Sequence, residues 1–224
     1  MNIGFLGLGK LGLPVSLAVE SKGHNVFGYD ISEQTLNDIK DRKIKYREEW
    51  VDKYLPNTRL EINSVEKLVK NSEIIFVPIQ TPHDPKYEGI NRIPDKRIDF
   101  DYSYLKSGIK ELSRAIEING EDKVVIIIST VLPGTITREI KPLLGKHTKL
   151  VYNPFFIAMG STMKDFLHPE FVLFGRDDEL ALKVGKEFYK TISSAPIYDT
   201  TIENAELIKV SYNTMISTKI SFTN

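Results

Sequence analysis

The chain has 224 residues, 41% of them hydrophobic and 27% charged, the balance of an ordinary soluble globular protein whose core needs no covalent staple. Thirty basic residues cancel thirty acidic ones, so no overall field draws the chain onto nucleic acid or an anionic membrane, and neither is expected as a partner. Cysteine is absent, which excludes disulfide frameworks, thiolate metal sites and thiol nucleophiles within this sequence.

Met1 to Gly7 has too short an apolar run and no basic lead-in for a secretory signal, and no later run approaches a membrane-spanning length; a cytoplasmic location is expected. Residues 2–6 read as a strand, a Gly-rich turn follows, and Leu11 to Ser21 carries apolar residues at helical spacing. Asn25 to Tyr29 reads as a second strand ending at Asp30, with Ser32 placed to cap a helix running toward Lys40. Further strands are expected over 59–62, 73–78, 123–129 and 149–152, with helical patterns near 64–71, 101–118 and 133–143. This alternation predicts an α/β fold, a doubly wound, mostly parallel Rossmann-like sheet with helices on both faces.

Ile74–Val77 and Val124–Ile128 are apolar without alternation, as central strands covered on both faces should be. His83 to Ile98 is rich in Pro, Asp, Lys and Arg and reads as a loop at the carboxyl end of a strand, where such folds bind ligands. Its His and Asp residues match no metal-ligand spacing, so no metal is expected.

Phe171 to Phe174 reads as a strand closed by Gly175, followed by a helix over about 178–190, a last strand near 196–198 and a long helix from about Ile202. On that helix Ala205, Ile208, Tyr212, Met215 and Ile216 share a stripe, while Leu207, Val210 and Ile220 lie elsewhere, so it needs more than one packing partner. No Gly or Pro stops the helical pattern before Phe222-Thr223-Asn224. The expected organisation is a domain over 1–198, then a helix over 199–224 that is cut short, with a carboxyl-terminal half missing.

Gly7-Leu8-Gly9-Lys10-Leu11-Gly12 fits G-x-G-x-x-G directly after a strand and opening a helix, a context in which the pattern is specific. Gly7 serves the tight turn, Gly9 the approach of backbone to a pyrophosphate, and Gly12 the close packing of helix on strand; Lys10 and Leu11 complete the loop. Asp30, 18 residues after Gly12, stands where an acid accepts the ribose hydroxyls and repels a 2′-phosphate, so the expected cofactor is NAD rather than NADP. Thr81 and Thr130 fall just past the ends of two central strands and Ser129 is the last residue of one, where a hydroxyl reaches the nicotinamide half of NAD or a water, or simply caps the strand end. Lys209 and Asn213 are four apart and so share one helix face, as a site or as a solvated pair.

Gly7 to Pro14, Thr81-Pro82, Ser129-Thr130-Val131 with Pro133-Gly134-Thr135, Asn153-Pro154, and Ala205-Glu206-Leu207 with Lys209 and Asn213 occur in the order found in the UDP-glucose/GDP-mannose dehydrogenase family, which the chain resembles along its whole length. The resemblance implies NAD-dependent oxidation of the C6 alcohol of a nucleotide sugar to the uronic acid through a cysteine-bound thioester, for polysaccharide precursors. It also implies a homodimer through the central helix. By resemblance Thr130 helps hold the hydrolytic water, Thr81 touches cofactor, Lys209 stabilises negative charge on the C6 oxygen and Asn213 hydrogen-bonds sugar or water. The family's nucleophilic cysteine lies beyond residue 224, so a chain of this length is expected not to complete the reaction.

The sequence departs from the family after Asn153-Pro154: Phe155 and Met159 stand where the family has glutamates, the first of which orients the hydrolytic water. Neither side chain accepts a proton, so hydrolysis of the thioester is expected to be slow unless another group serves, with Asp165 and Glu170 the nearby carboxylates. Phe155, Phe156 and Met159 are then read as lining a flatter substrate pocket, or Phe155 and Phe156 as core. The loop from His83 to Asp101 is also unlike the short family loop. Two alternatives stay open: an altered or non-catalytic NAD-binding protein of the same ancestry, and a β-hydroxyacid dehydrogenase, which shares the Rossmann opening and a lysine on a long helix.

Overall fold

The computed structural model describes residues 1–90 and 92–223; Asn91, in the expected loop, and Asn224, at the end of the expected helix, lie outside them. β1 (Asn2–Leu6) turns through the glycines into α1 (Gly12–Ser21), and β2 (Asn25–Tyr29) leads to α2 (Glu33–Lys40). The Ser32 hydroxyl accepts the Thr35 N–H at 3.2 Å, the expected cap. A short α3 (Val51–Tyr54), a 3-10 turn (Leu55–Asn57) and the two-residue β3 (Glu61–Ile62) precede α4 (Val65–Asn71) and β4 (Ile74–Val77). A 3-10 turn (Pro85–Tyr87) is the regular piece of the following loop, before α5 (Ser103–Asn119) and β5 (Lys123–Ile127).

Where the sequence predicts a helix over 133–143, the chain makes one π-helical turn (Ile136–Ile140) and a 3-10 turn (Lys141–Leu143). Pro142 has no N–H to donate backward, so an α-helical ladder does not run through it. β6 (Thr148–Tyr152), α6 (Thr162–Leu167), β7 (Val172–Arg176), α7 (Glu179–Ile192), β8 (Ile197–Thr201) and α8 (Ile202–Thr223) complete the described chain.

The strands form one sheet in the order β3-β2-β1-β4-β5-β6-β7-β8, parallel throughout except that β7 runs antiparallel to β6. Both faces are covered. Ile74 and Phe76 point into one core with α1, α6 and α7, and Ile75 and Val77 into the other with α4, α5 and α8, which is why these strands show no alternation of polarity. On the first face Phe5 stacks on Phe76 with ring centres 5.3 Å apart, and Phe188 lies 5.3 Å from Phe76 on its other side.

β7 passes through Gly175 instead of ending there. A Cβ at that position would stand 2.9 Å from Ile202 Cα and 3.0 Å from Ala205 Cβ, so the glycine lets α8 lie directly on the strand. α8 buries Ile202, Ala205, Glu206 and Lys209, whereas Ile208, Tyr212, Met215 and Ile216 of the expected stripe are exposed, as are Leu207 and Ile220. Among the described residues no helix is long and apolar enough to cross a membrane.

Candidate active site

The sheet's strand order reverses between β1 and β4, and a cleft of about 740 Å³ opens at the carboxyl ends of the strands there. Gly7, Gly9, Lys10 and Leu11 line it. Gly7 has φ 119°, a conformation that L side chains rarely adopt. A Cβ on Gly12 would sit 2.1 Å from the Gly7 carbonyl oxygen, so any side chain there would force α1 away from the turn. A Cβ on Gly9 would meet nothing within 4 Å, leaving its backbone open to a ligand. The first turn of α1 has no acidic residue and no side-chain cap, so its positive dipole end is left to an anion. These features fit a dinucleotide diphosphate.

Asp30 and Ser32 lie on the same cleft wall. One Asp30 carboxylate oxygen accepts the Leu8 N–H at 2.7 Å and the other accepts the Ser32 N–H at 2.8 Å, fixing the side chain between the glycine turn and α2. Each oxygen keeps a lone pair, so a ribose hydroxyl still finds an acceptor there.

At the far end of the cleft stand Thr81, Ser129 and Thr130. Thr81 donates its hydroxyl proton to the Thr130 carbonyl at 2.6 Å, and Ser129 donates to the Ile79 carbonyl at 2.5 Å. The capping contacts are therefore made, and they tie the end of β5 to the end of β4 while the hydroxyl oxygens remain acceptors.

A second cavity of about 590 Å³ is lined by residues 153–158, the start of β7 and α8 residues that include Lys209 and Asn213. Phe155, Ile157 and Lys209 line both cavities and form the wall between them. Lys209 Nζ donates to Asn213 Oδ1 at 3.0 Å and lies 5.1 Å from the centre of the Phe156 ring. Burial away from water lowers its pKa to about 8, so the amine is ready to exchange a proton near neutral pH.

Phe155 is core, 8% exposed and packed 5.5 Å from Phe166 and 6.5 Å from Phe76 by ring centres, and it also lines the two cavities. Phe156 lines the second cavity with Phe171 at 4.7 Å and Tyr212 at 4.9 Å. Met159 is exposed on the rim of the cofactor cleft and is not brought to the second cavity. Asp165 and Glu170 do line that cavity; Asp165 accepts the Ala158 N–H and the Ser161 hydroxyl, each at 2.9 Å and both at Oδ2. Among the described residues no group of three His, Cys, Asp or Glu side chains is placed to hold a metal ion.

Two buried carboxylates escape the sequence reading. Glu206 is 0% exposed and accepts the backbone N–H groups of Gly134 at 2.5 Å and Ile136 at 2.8 Å. Its burial raises its pKa, and the two N–H bonds pull it back down. The motif Ala205-Glu206-Leu207 contained the signal: an acid on the helix face that the next element covers. Glu48 accepts the N–H groups of Gly160 at 3.0 Å and Thr162 at 2.6 Å and the Thr162 hydroxyl at 3.0 Å, holding the segment that carries Phe155 and Phe156. Nothing near Glu48 in the sequence announces a partner more than a hundred residues away.

Residues 1–193 match the model of the UDP-glucose/GDP-mannose dehydrogenase family, NAD binding domain. The chain belongs to that family. It is 28% identical to the GDP-mannose 6-dehydrogenase of Pseudomonas aeruginosa and 30% identical to the UDP-glucose 6-dehydrogenase of Rickettsia bellii, covering 100% of this chain and 52% and 50% of those proteins. An uncharacterized protein of Methanocaldococcus jannaschii is 30% identical over 25% of its own length. The chain thus spans about half, or less, of the curated relatives it matches. Its fold superposes on a ternary complex of GDP-mannose dehydrogenase from Pseudomonas aeruginosa with a TM-score of 0.88 at 27% identity, over 99% of this chain and 51% of the other. A UDP-glucose dehydrogenase from Pyrobaculum islandicum gives 0.86 at 27% identity, over 100% and 51%. The cleft at Gly7 to Asp30 therefore lies in the family's NAD-binding domain.

Proposed function

We propose that the chain is the cofactor half of an NAD-dependent nucleotide-sugar 6-dehydrogenase, which oxidises the C6 alcohol of a UDP- or GDP-linked sugar toward the uronic acid for polysaccharide precursors. The observation that carries this reading is the wall shared by the two cavities, because it puts an amine with a pKa of about 8 between the cofactor cleft and a second, aromatic-lined cavity. Bound NAD supplies the hydride acceptor. Lys209 takes up the charge or the proton of the C6 hydroxyl, Asn213 orients Lys209 and the sugar, and Phe155 with Ile157 keeps water from the junction. Thr81, Ser129 and Thr130 hold the nicotinamide end and Asp30 the ribose end.

The acid-forming step needs more than this chain. It has no cysteine for a thioester, and the shared wall carries no carboxylate to activate water, Phe155 filling that place. This favours a variant in which hydrolysis is the slow step. We assign the domain boundary to the end of β8, with α8 opening a helical unit whose exposed apolar face joins a second copy in a cytoplasmic homodimer.

Calorimetric titration of the chain with NAD, followed by UDP-glucose or GDP-mannose, tests the reading against oxidation of small β-hydroxyacids followed by NADH absorbance. Binding of NAD and then of a nucleotide sugar, without hydroxyacid turnover, is expected. Efficient hydroxyacid oxidation would overturn it.

A further inference from the structure

The segment between Asn153-Pro154 and α6 forms the rim of the cofactor cleft beside Lys209: Ile157 and Met159 line the cleft, and Ile157 shares the wall with Phe155 and Lys209. Residues 153–161 carry no helix or strand. Besides the local bond from the Ala158 N–H to Asp165, this stretch is fixed from a distance, by a carboxylate on the loop between α2 and α3. Glu48, 5% exposed, accepts the Gly160 N–H and the Thr162 hydroxyl at one oxygen, each at 3.0 Å, and the Thr162 N–H at the other, at 2.6 Å. The Glu49 N–H donates to the Gly160 carbonyl at 2.9 Å, so one loop holds both backbone polar groups of Gly160. That loop is strained where it ends. Trp50, directly after Glu49, takes φ 69°, a left-handed conformation that a bulky side chain rarely adopts and that persists only where the surroundings impose it. Val51, the next residue, is buried in the core, so the turn is pinned on one side by packing and on the other by the Glu48 bonds.

We propose that Glu48 is a positioning residue for the nicotinamide end of NAD: it holds the Ile157 to Met159 rim in its binding arrangement in advance, so that binding does not have to order it. This role rests on the reading above that places the nicotinamide beside Thr130 and Lys209, and it adds a residue that lines neither cavity. Glu48→Gln keeps one acceptor oxygen and turns an NH2 group toward the donors at the other, which frees the rim.

The test is calorimetric titration with NAD and with ADP-ribose, which lacks the nicotinamide, on the parent and three variants. In Glu48→Gln the affinity for NAD is expected to fall roughly fivefold, the size of ordering one long side chain on binding, while that for ADP-ribose changes by less than about twofold. Gly160→Ala adds a Cβ that meets nothing within 4 Å, but at φ 98°, so it disturbs the same peptide without touching Glu48 and should shift the ratio in the same direction. Glu20→Gln breaks a clamp of the same make elsewhere, since Glu20 accepts the Thr58 hydroxyl and the Arg59 N–H and lines neither cavity. It should lower the urea midpoint and leave the ratio unmoved. Should Glu48→Gln fail to fold, Gly160→Ala decides by the same ratio. An unmoved ratio, ADP-ribose weakened as much as NAD, or an equal shift in Glu20→Gln overturns the assignment while NAD binding stands. The placement of the nicotinamide is read separately, from the NMR signal of the methylated Lys209 amine in the parent, which NAD and not ADP-ribose should move. A signal that NAD leaves in place overturns that reading, and the role of Glu48 with it.

Discussion

The Glu206 carboxylate accepts the backbone N–H of Ile136 at 2.8 Å across 70 residues of sequence, and with its other oxygen the N–H of Gly134. One turn further along α8 stands Lys209, so the same clamp that ties the helix to the segment after Thr130 also sets where the amine can be. Glu206→Ala leaves two N–H groups without their acceptor and should cost about 2–4 kcal/mol in urea unfolding. As the wall loosens and water reaches Lys209, the pKa of its amine, read by NMR of the reductively methylated protein, should move up toward the ordinary lysine value. A variant as stable as the parent, with an unmoved amine pKa, would show that the clamp positions nothing.

Lys209 makes stability depend on pH in one direction. Its folded-state pKa of about 8 lies below the ordinary 10.5, so the charged amine is disfavoured by folding at neutral pH, and the penalty fades as pH rises from 8 to 10.5. A Lys209→Met variant, unbranched and uncharged, should be the more stable of the two at pH 7 by up to about 3 kcal/mol. That advantage should shrink toward zero by pH 10.5. Thermal unfolding of both proteins across this range checks the prediction, and a constant difference would contradict it.

Asp30→Asn keeps an acceptor for one of the two backbone N–H groups but removes the charge. The preference for NAD over NADP should drop about tenfold in calorimetry, chiefly because a 2′-phosphate is no longer repelled. An unchanged preference would mean that another residue chooses the cofactor.

Phe155→Glu, the substitution that restores a carboxylate to the shared wall, has to place it among Phe76 and Phe166. We expect a loss of about 3 kcal/mol in chemical unfolding, since the new acid finds apolar rings and no donor. Phe155→Leu, which keeps the wall apolar, should lose less. Equal losses would show that the site already offers the carboxylate water or a partner.

Ile216→Glu on α8 puts a charge on the face we assign to a second copy, where Ile216 is 42% exposed. Sedimentation at micromolar concentration should show association for the parent and weaker association for the variant, with unchanged helix content by circular dichroism. A parent that stays monomeric contradicts the assignment.

The sheet was legible because its central strands are written twice, once as unbroken apolar runs at Ile74–Val77 and Val124–Ile127 and again as the caps and glycines between them. The short α3 and α6 were not, since four and six residues are too few to show a helical period. The reversal at β7 was equally silent, because strand direction leaves no mark on side-chain pattern. Gly175 misled as a stop signal, since its meaning lies in α8, which follows it in sequence by a whole helix and strand. At the site, the glycine turn and Asp30 were local and readable, whereas Glu48 and Glu206 act on backbone that only folding brings to them.

The partition of the wall between the two cavities bears on how freely the protein can change. The cofactor side is encoded mainly by residues before 131 and the second cavity mainly by residues after 152, so mutations in one stretch can retune one ligand without disturbing the other. Phe155, Ile157 and Lys209 are the exception. If the second cavity takes the sugar as proposed, each must satisfy two ligands at once, so a library with every position varied should tolerate the fewest replacements at these three among residues of comparable burial, and a change of sugar preference should arise first at neighbours such as Phe156, Phe171 and Tyr212, which line the second cavity alone.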